Sequence, residues 1–297
     1  MKISVLSGKG GTGKTFLSVN LAQVASNSVY IDCDVEEPNG NLFLKAKDSK
    51  IENVDVPVPV FDQEKCTGCK ECVDFCEFNA LAYVGGKIKI FKELCHSCGG
   101  CTLLCPEKAI KEVDRNIGKV EVGKSGNIKV KTGELNIGEA TGVPIIEKLL
   151  EDMDYSKNNI VDCPPGSSCQ VMESIKGSDY ALLVIEPSKF GVHNINLVYE
   201  LVKIFDIPYG AVINKDMGDS EIAEKFCEEN NIKLLGKIPY DEEMGKLISD
   251  GHIVAREREK FERIFKDIFD KIKIEAIAKK VLDKIEEEVK QWSSWLS

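Results

Sequence analysis

The run Gly8-Lys9-Gly10-Gly11-Thr12-Gly13-Lys14-Thr15 constrains the fold more than any other stretch of the chain. A glycine, four residues, then Gly-Lys-Thr is the phosphate-loop pattern, and it works only between a strand and a helix. Both flanks fit. Lys2–Ser7 alternates polar and apolar residues, and the apolar residues from Lys14 to Ala22 fall on one helical face. Glycines let backbone N–H groups turn inward around phosphate oxygens, and the start of the helix adds its dipole. Gly8, Lys9, Gly10, Gly11, Thr12, Gly13, Lys14 and Thr15 are therefore expected to cradle ATP, with Lys14 on the β and γ phosphates and Thr15 on Mg²⁺.

Further strands are predicted at Val29–Asp32, Asn159–Cys163, Tyr180–Ile185, Tyr209–Asn214 and Leu234–Ile238, with helical stretches between them. Strands alternating with helices imply an α/β fold with a mostly parallel sheet covered on both faces. Between about Pro57 and Gly118 the alternation stops, and eight of the twelve cysteines crowd together. This predicts an ATPase domain in two parts, 1–56 and 119–297, around an inserted α+β module at 57–118. Val56-Pro57-Val58-Pro59 reads as a stiff exit from the first part, and Gly118–Gly133 as a hairpin leading back.

Cys66, Cys69, Cys72 and Cys76 follow C-x2-C-x2-C-x3-C spacing, and Cys95, Cys98, Cys101 and Cys105 repeat it 29 residues later with Pro106 behind. This is the run of bacterial two-cluster ferredoxins, in which the fourth cysteine serves the other cluster. One [4Fe–4S] cluster is expected on Cys66, Cys69, Cys72 and Cys105, the other on Cys95, Cys98, Cys101 and Cys76. Structural zinc sites use cysteine pairs with a longer spacer and fit poorly. Ala80-Leu81 aligns with Ala109-Ile110, so the repeat extends past the ligands; Glu77, where a proline usually stands, departs from it. Cys33, Cys163 and Cys227 read as small buried residues. Cys169 follows Pro164-Pro165-Gly166-Ser167-Ser168, and no second matching ligand is evident beside it.

Lys9, a second lysine just after the first loop glycine, makes the loop resemble that of the MinD/ParA/nitrogenase-iron-protein class of ATPases. Other segments agree. Ile31-Asp32-Cys33-Asp34 is similar to the first switch, Ile160-Val161-Asp162-Cys163-Pro164-Pro165-Gly166 to the Walker B strand and second switch, and Val212-Ile213-Asn214-Lys215 to the adenine-contacting segment. The resemblance implies a homodimer in which Lys9 reaches the partner's nucleotide. It also implies that Asp34 orients the attacking water, Asp162 assists Mg²⁺ through water and Asn214 reads the base.

The expected activity is ATP hydrolysis coupled to electron transfer through the clusters, towards a redox or metalloprotein client. Alternatives are a cluster-assembly or metallocentre-maturation ATPase and a redox-sensing spatial organiser. A net charge of −10 argues against broad nucleic-acid binding. The sequence shows neither a signal-peptide core nor a membrane span, and cysteines spaced as metal ligands suit a reducing compartment, so a cytoplasmic location is expected. Phe261 to Val289 carries apolar residues at helical spacing, read as one or two amphipathic helices. Trp292, Trp295 and Leu296 would suit a membrane interface, but Glu286-Glu287-Glu288 does not suit anionic lipid, which favours packing on the ATPase domain or a partner.

Overall fold

The computed structural model describes residues 1–295. In chain order the elements begin β1 (Lys2–Ser7), α1 (Lys14–Val24), β2 (Ser28–Asp32), α2 (Gly40–Leu44) and β3 (Lys47–Phe61). Then come α3 (Glu71–Phe75), β4 (Leu81–Val84), β5 (Lys87–Ile90), α4 (Gly100–Leu104), β6 (Ile110–Ser125) and β7 (Ile128–Leu135). The chain continues through α5 (Val143–Glu151), β8 (Asn158–Asp162), α6 (Cys169–Ile175), β9 (Tyr180–Ile185), α7 (Lys189–Ile204), β10 (Tyr209–Asp216) and α8 (Glu221–Glu229). It closes with β11 (Leu234–Pro239), α9 (Glu242–Ser249), α10 (Val254–Glu257) and α11 (Glu259–Trp295).

One nine-stranded sheet has the order β11-β10-β9-β1-β8-β2-β7-β6-β3. Pairing is parallel from β11 to β7, then antiparallel through β6 to β3. Both faces are buried, which is why the parallel strands read as nearly continuous apolar runs. Alternate residues divide between two cores. Ile3, Val5, Tyr180, Leu182 and Val184 face α1 and α11, whereas Leu6, Ala181, Leu183 and Ile185 join the core beneath α5, α6 and α7. Phe16 of α1 meets Phe265 of α11 edge-on, ring centroids 5.5 Å apart, and each fully buried side chain of this kind contributes ~1.5–3 kcal/mol. β1 lies between β9 and β8, so the phosphate loop leaves the sheet at its centre, at the carboxyl ends of the strands where such sheets bind ligands.

β3 and β6 form one antiparallel ribbon that pairs from Lys47↔Lys124 to Phe61↔Ile110. The positions read as module boundaries, 57 and 118, fall inside these strands, so a continuous pair of strands joins the cysteine-rich segment to the sheet. Pro57 and Pro59 are tolerated because β3 is the sheet edge and owes no hydrogen bonds outward. At the far end of the ribbon, β4 and β5 pair through Gly85-Gly86, and Cys72, Leu81, Ile88 and Ile110 form a small core of their own.

The C-terminal segment is one helix. α11 buries Phe261, Phe265, Ile268, Phe269, Ile272 and Ala276 against the sheet, while Ile274, Ile277, Val281, Leu282, Ile285 and Val289 are exposed. Trp292, Trp295 and Leu296 lie outside the residues whose side chains are described. Among the described residues, no helix is long and apolar enough to cross a membrane.

Candidate nucleotide site and cysteine module

The loop between β1 and α1 borders a cavity of about 560 Å³ lined by Lys9 through Thr15 and, across from them, by Asp34, Glu36, Glu37, Pro164 and Gln170. Gly11 and Gly13 adopt positive φ (77° and 96°), the conformation that turns their amides. Gly13 is also fixed by space: a Cβ there would stand 2.1 Å from Asn214 Nδ2. That nitrogen donates to the Thr12 carbonyl at 2.8 Å, and the Asn214 side chain is buried. Lys9 does not extend freely. Its Nζ is 2.9 Å from Glu186, which also lies 3.7 Å from Lys215, and Lys215 donates to the Gly11 carbonyl.

Lys14 is buried beneath the loop. Its Nζ donates to Asp162 at 2.8 Å and to Asp34 at 3.4 Å. Ser18, one helical turn on, donates to the same Asp162 oxygen at 3.2 Å, and the Tyr30 hydroxyl donates to the other at 2.9 Å. Asp32 accepts from the Gly40 amide at 2.9 Å and lies 3.4 Å from the Tyr30 hydroxyl. Two carboxylates, Asp162 and Asp34, thus flank one ammonium, with Asp32 beside them across Tyr30. Burial opposes the charge on Lys14, but Asp162 and Asp34 outweigh it and hold its pKa above the usual lysine range. Burial, then the neighbouring Asp162 charge, push Asp32 up to about 8, and burial also raises Asp34.

The eight clustered cysteines divide in space differently from their order in the chain. Cys76, Cys95, Cys98 and Cys101 line one apolar cavity of about 250 Å³ with Phe75, Leu81 and Pro59. Cys66, Cys72 and Cys105 pack at the small core of Leu81, Ile88 and Ile110, though Cys76 and Cys101 also touch it. Cys69 and Cys98 are exposed. Backbone amides of Ser97 and Ala109 donate to the sulfurs of Cys95 (3.4 Å) and Cys105 (3.3 Å). Among the described residues, no three His, Cys, Asp or Glu side chains converge closely enough for a single metal ion. Cys33, Cys163 and Cys227 are buried, and Cys169 is exposed at the start of α6.

Residues 3–254 match the CobQ/CobB/MinD/ParA nucleotide binding domain. The chain belongs to this family. It is a P-loop ATPase of the MinD/ParA type. An uncharacterized protein of Methanocaldococcus jannaschii is 34% identical over 278 residues, covering 92% of this chain and 96% of that protein. A protein named iron-sulfur cluster carrier protein, from Pyrococcus furiosus, is 25% identical over 261 residues, 81% of this chain and 74% of its own length. Among solved structures, the septum site-determining protein MinD of Pyrococcus horikoshii, complexed with Mg-ADP, shares the fold. Its TM-score is 0.55 at 17% identity, covering 91% of this chain and 95% of that one.

Four residues of this MinD/ParA-type site are not picked out by motif: Ser18, Tyr30, Asp32 and Glu186. Ser18 and Asp32 had a local signal, the one lying a turn after Lys14 and the other within Ile31-Asp32-Cys33-Asp34. Asp32 gives the site a pH signature. A native pKa near 8, against about 4 in the unfolded chain, means the folded state holds the extra proton between those values. The stability this contributes is complete below about pH 4 and is lost as pH rises towards 8, in the field of Asp162, Asp34, Lys14 and Tyr30. Asp32→Asn, which keeps the shape and removes the titration, is expected to flatten the fall in unfolding midpoint between pH 5 and 8. An unchanged slope would place the titrating proton elsewhere.

Proposed function

We propose that this ATPase uses its nucleotide cycle to govern electron transfer through two [4Fe–4S] clusters held in an inserted, two-cluster ferredoxin-like module at about residues 57–118. One observation carries the reading: Cys76, from the first run, lines a cavity with Cys95, Cys98 and Cys101 of the second. That grouping supports the crossed ligand set that the spacing predicts. The apolar lining and the amide-to-sulfur hydrogen bonds suit a cluster of thiolate-held iron, with Cys66, Cys69, Cys72 and Cys105 as the other set. Bound there, such clusters would supply one-electron transfer.

At the nucleotide site, the triphosphate takes over Lys14 from its carboxylates. Lys14 then counters charge on the β and γ phosphates, and Thr15, with Asp162 acting through water, would hold the Mg²⁺ that neutralises those phosphates. Asp34, released from Lys14, orients the attacking water. Lys9, released from Glu186, reaches the nucleotide of a second copy in a homodimer, and Asn214 contacts the base. Asp34→Ala is expected to leave ATP affinity within about threefold while slowing hydrolysis by about 10²-fold or more. Normal turnover in that variant would show that Asp34 is not the positioning group.

Coupling follows from the ribbon. β3 begins shortly after Asp34, and β6 turns into β7, which pairs with β2 along Asp32↔Thr132. Motion at the first switch therefore reaches the cysteine module through hydrogen-bonded strands. Linkage requires that if ATP shifts the cluster potentials, reduction shifts ATP affinity by the same free energy. A second reading, cluster delivery to a client, is favoured by the relatives named iron-sulfur cluster carrier protein, at 25% and 23% identity. Anaerobic incubation with an apo-ferredoxin separates the two: electron transfer without loss of iron supports the first reading, and transfer of iron with sulfide the second.

A further inference from the structure

The two cysteine runs repeat in the backbone as well as in sequence. α3 starts at Glu71 and α4 at Gly100, 29 residues on. The left-handed residues pair off at the same offset: Lys70 (φ 68°) with Gly99 (φ 72°), Asn79 (φ 53°) with Lys108 (φ 49°), and Gly68 (φ 74°) with Ser97 (φ 54°). At this last pair the halves differ chemically. In the first run glycine is demanded by space as well as by conformation, because a Cβ on Gly68 would stand 2.6 Å from the Tyr83 hydroxyl. In the second run a serine takes the strained conformation that glycine would adopt freely.

Serine gains nothing visible in return within the protein. Its Oγ is sealed from solvent and has no hydrogen-bond partner among the described residues, a second cost at the same position. Ser97 also lines the cavity shared by Cys76, Cys95, Cys98 and Cys101, and its amide already donates to Cys95 Sγ. The acceptor missing from the protein lies in what those cysteines hold.

We propose that the Ser97 hydroxyl donates a hydrogen bond to a sulfur of the cluster held by Cys76, Cys95, Cys98 and Cys101, raising that cluster's reduction potential. This rests on the two-cluster reading above. A hydrogen bond to sulfur favours the more negative, reduced form; in the first run the Tyr83 hydroxyl, not a residue of the loop, stands where a side chain on Gly68 would be. The tuned cluster is the one on the ATPase side. Cys95 packs against the core of the ATPase sheet, and Pro57 and Pro59 of the ribbon line the same cavity, whereas Cys66, Cys72 and Cys105 sit at the satellite core.

The test uses the full chain, purified anaerobically, with Ser97→Ala and Ser97→Gly. Both delete the hydroxyl, but only glycine also relieves the backbone strain. Iron and sulfide are measured first, and a wild-type protein without clusters would overturn the two-cluster reading itself. With clusters present, redox titration followed by EPR is expected to show one of two potentials falling by the same amount in both variants. The shifted signal should be the one missing from Cys76→Ala protein. In D₂O, an exchangeable deuteron coupled to that cluster should disappear in both variants. Unchanged potentials, a shift of the other cluster, or a shift in only one variant would overturn the assignment.

Discussion

Lys14→Ala is expected to abolish tight ATP binding and to lower stability at neutral pH. The binding loss follows from removing the charged donor to the β and γ phosphates. Charge-assisted hydrogen bonds contribute about 1.5–3 kcal/mol each, so losing two weakens binding by roughly 10²–10⁴-fold. The stability loss has a separate origin. Lys14 is the ammonium among Asp162, Asp34 and Asp32, and Asp162 is fully buried. Stranding buried carboxylates by removing their partner costs about 3–5 kcal/mol. Acid should restore part of this by protonating Asp32 and Asp34, both of which burial already pushes up, so the gap between wild type and variant should narrow from pH 8 to pH 5. Titration calorimetry with ATP, beside unfolding curves at the two pH values, separates the effects. Affinity within about threefold of wild type would remove Lys14 from the phosphate site.

Cys76→Ala is expected to lose a whole cluster, and not the one belonging to its neighbours in sequence. Wild-type protein should contain about eight iron and eight sulfide per chain, and the variant about four of each. The identity of the survivor is the sharper outcome. If Cys76 completes the set around the cavity with Cys95, Cys98 and Cys101, the EPR spectrum of Cys76→Ala should match that of Cys98→Ala and complement that of Cys69→Ala. A match to Cys69→Ala would restore the uncrossed pairing of each run with itself. Zinc in place of iron would refute the cluster reading altogether.

The parts of this protein legible in its sequence are those set by short-range pattern. The phosphate loop needs a strand before it and a helix after it, and β1 and α1 are where periodicity puts them. The predicted parallel strands recur as β2, β8, β9, β10 and β11 because both their faces are buried and their apolar runs are nearly unbroken. The nearness of Cys76 to Cys95, Cys98 and Cys101 also follows the spacing, in which a three-residue step precedes the fourth cysteine of each run.

The ribbon was legible only in part. Val56 to Pro59 suggested an extended exit, but β3 runs from Lys47 and is exposed and charged at its start. Nothing local marks it as paired with β6, because an edge strand with one partner and a solvated face carries little apolar signal. β7 was read only as part of a return hairpin. It also completes the parallel array beside β2, a choice made by the sheet rather than by its own residues.

What the sequence by itself determined, then, is the chemistry available: a phosphate loop with two lysines, two segments bearing Asp34 and Asp162, and two four-thiol runs. Only the tertiary structure decided which groups restrain one another. Tyr30 meets Asp162 across 132 residues, and Glu186 holds Lys9 across 177. These pairs exist because β1 lies between β8 and β9 and β2 lies beside β8, so that the ends of strands far apart in the chain open on one cavity. Helical and strand periodicity reach only a few residues along the chain. Strand order is set by the burial of two sheet faces at once, a property of the whole chain that no single segment carries.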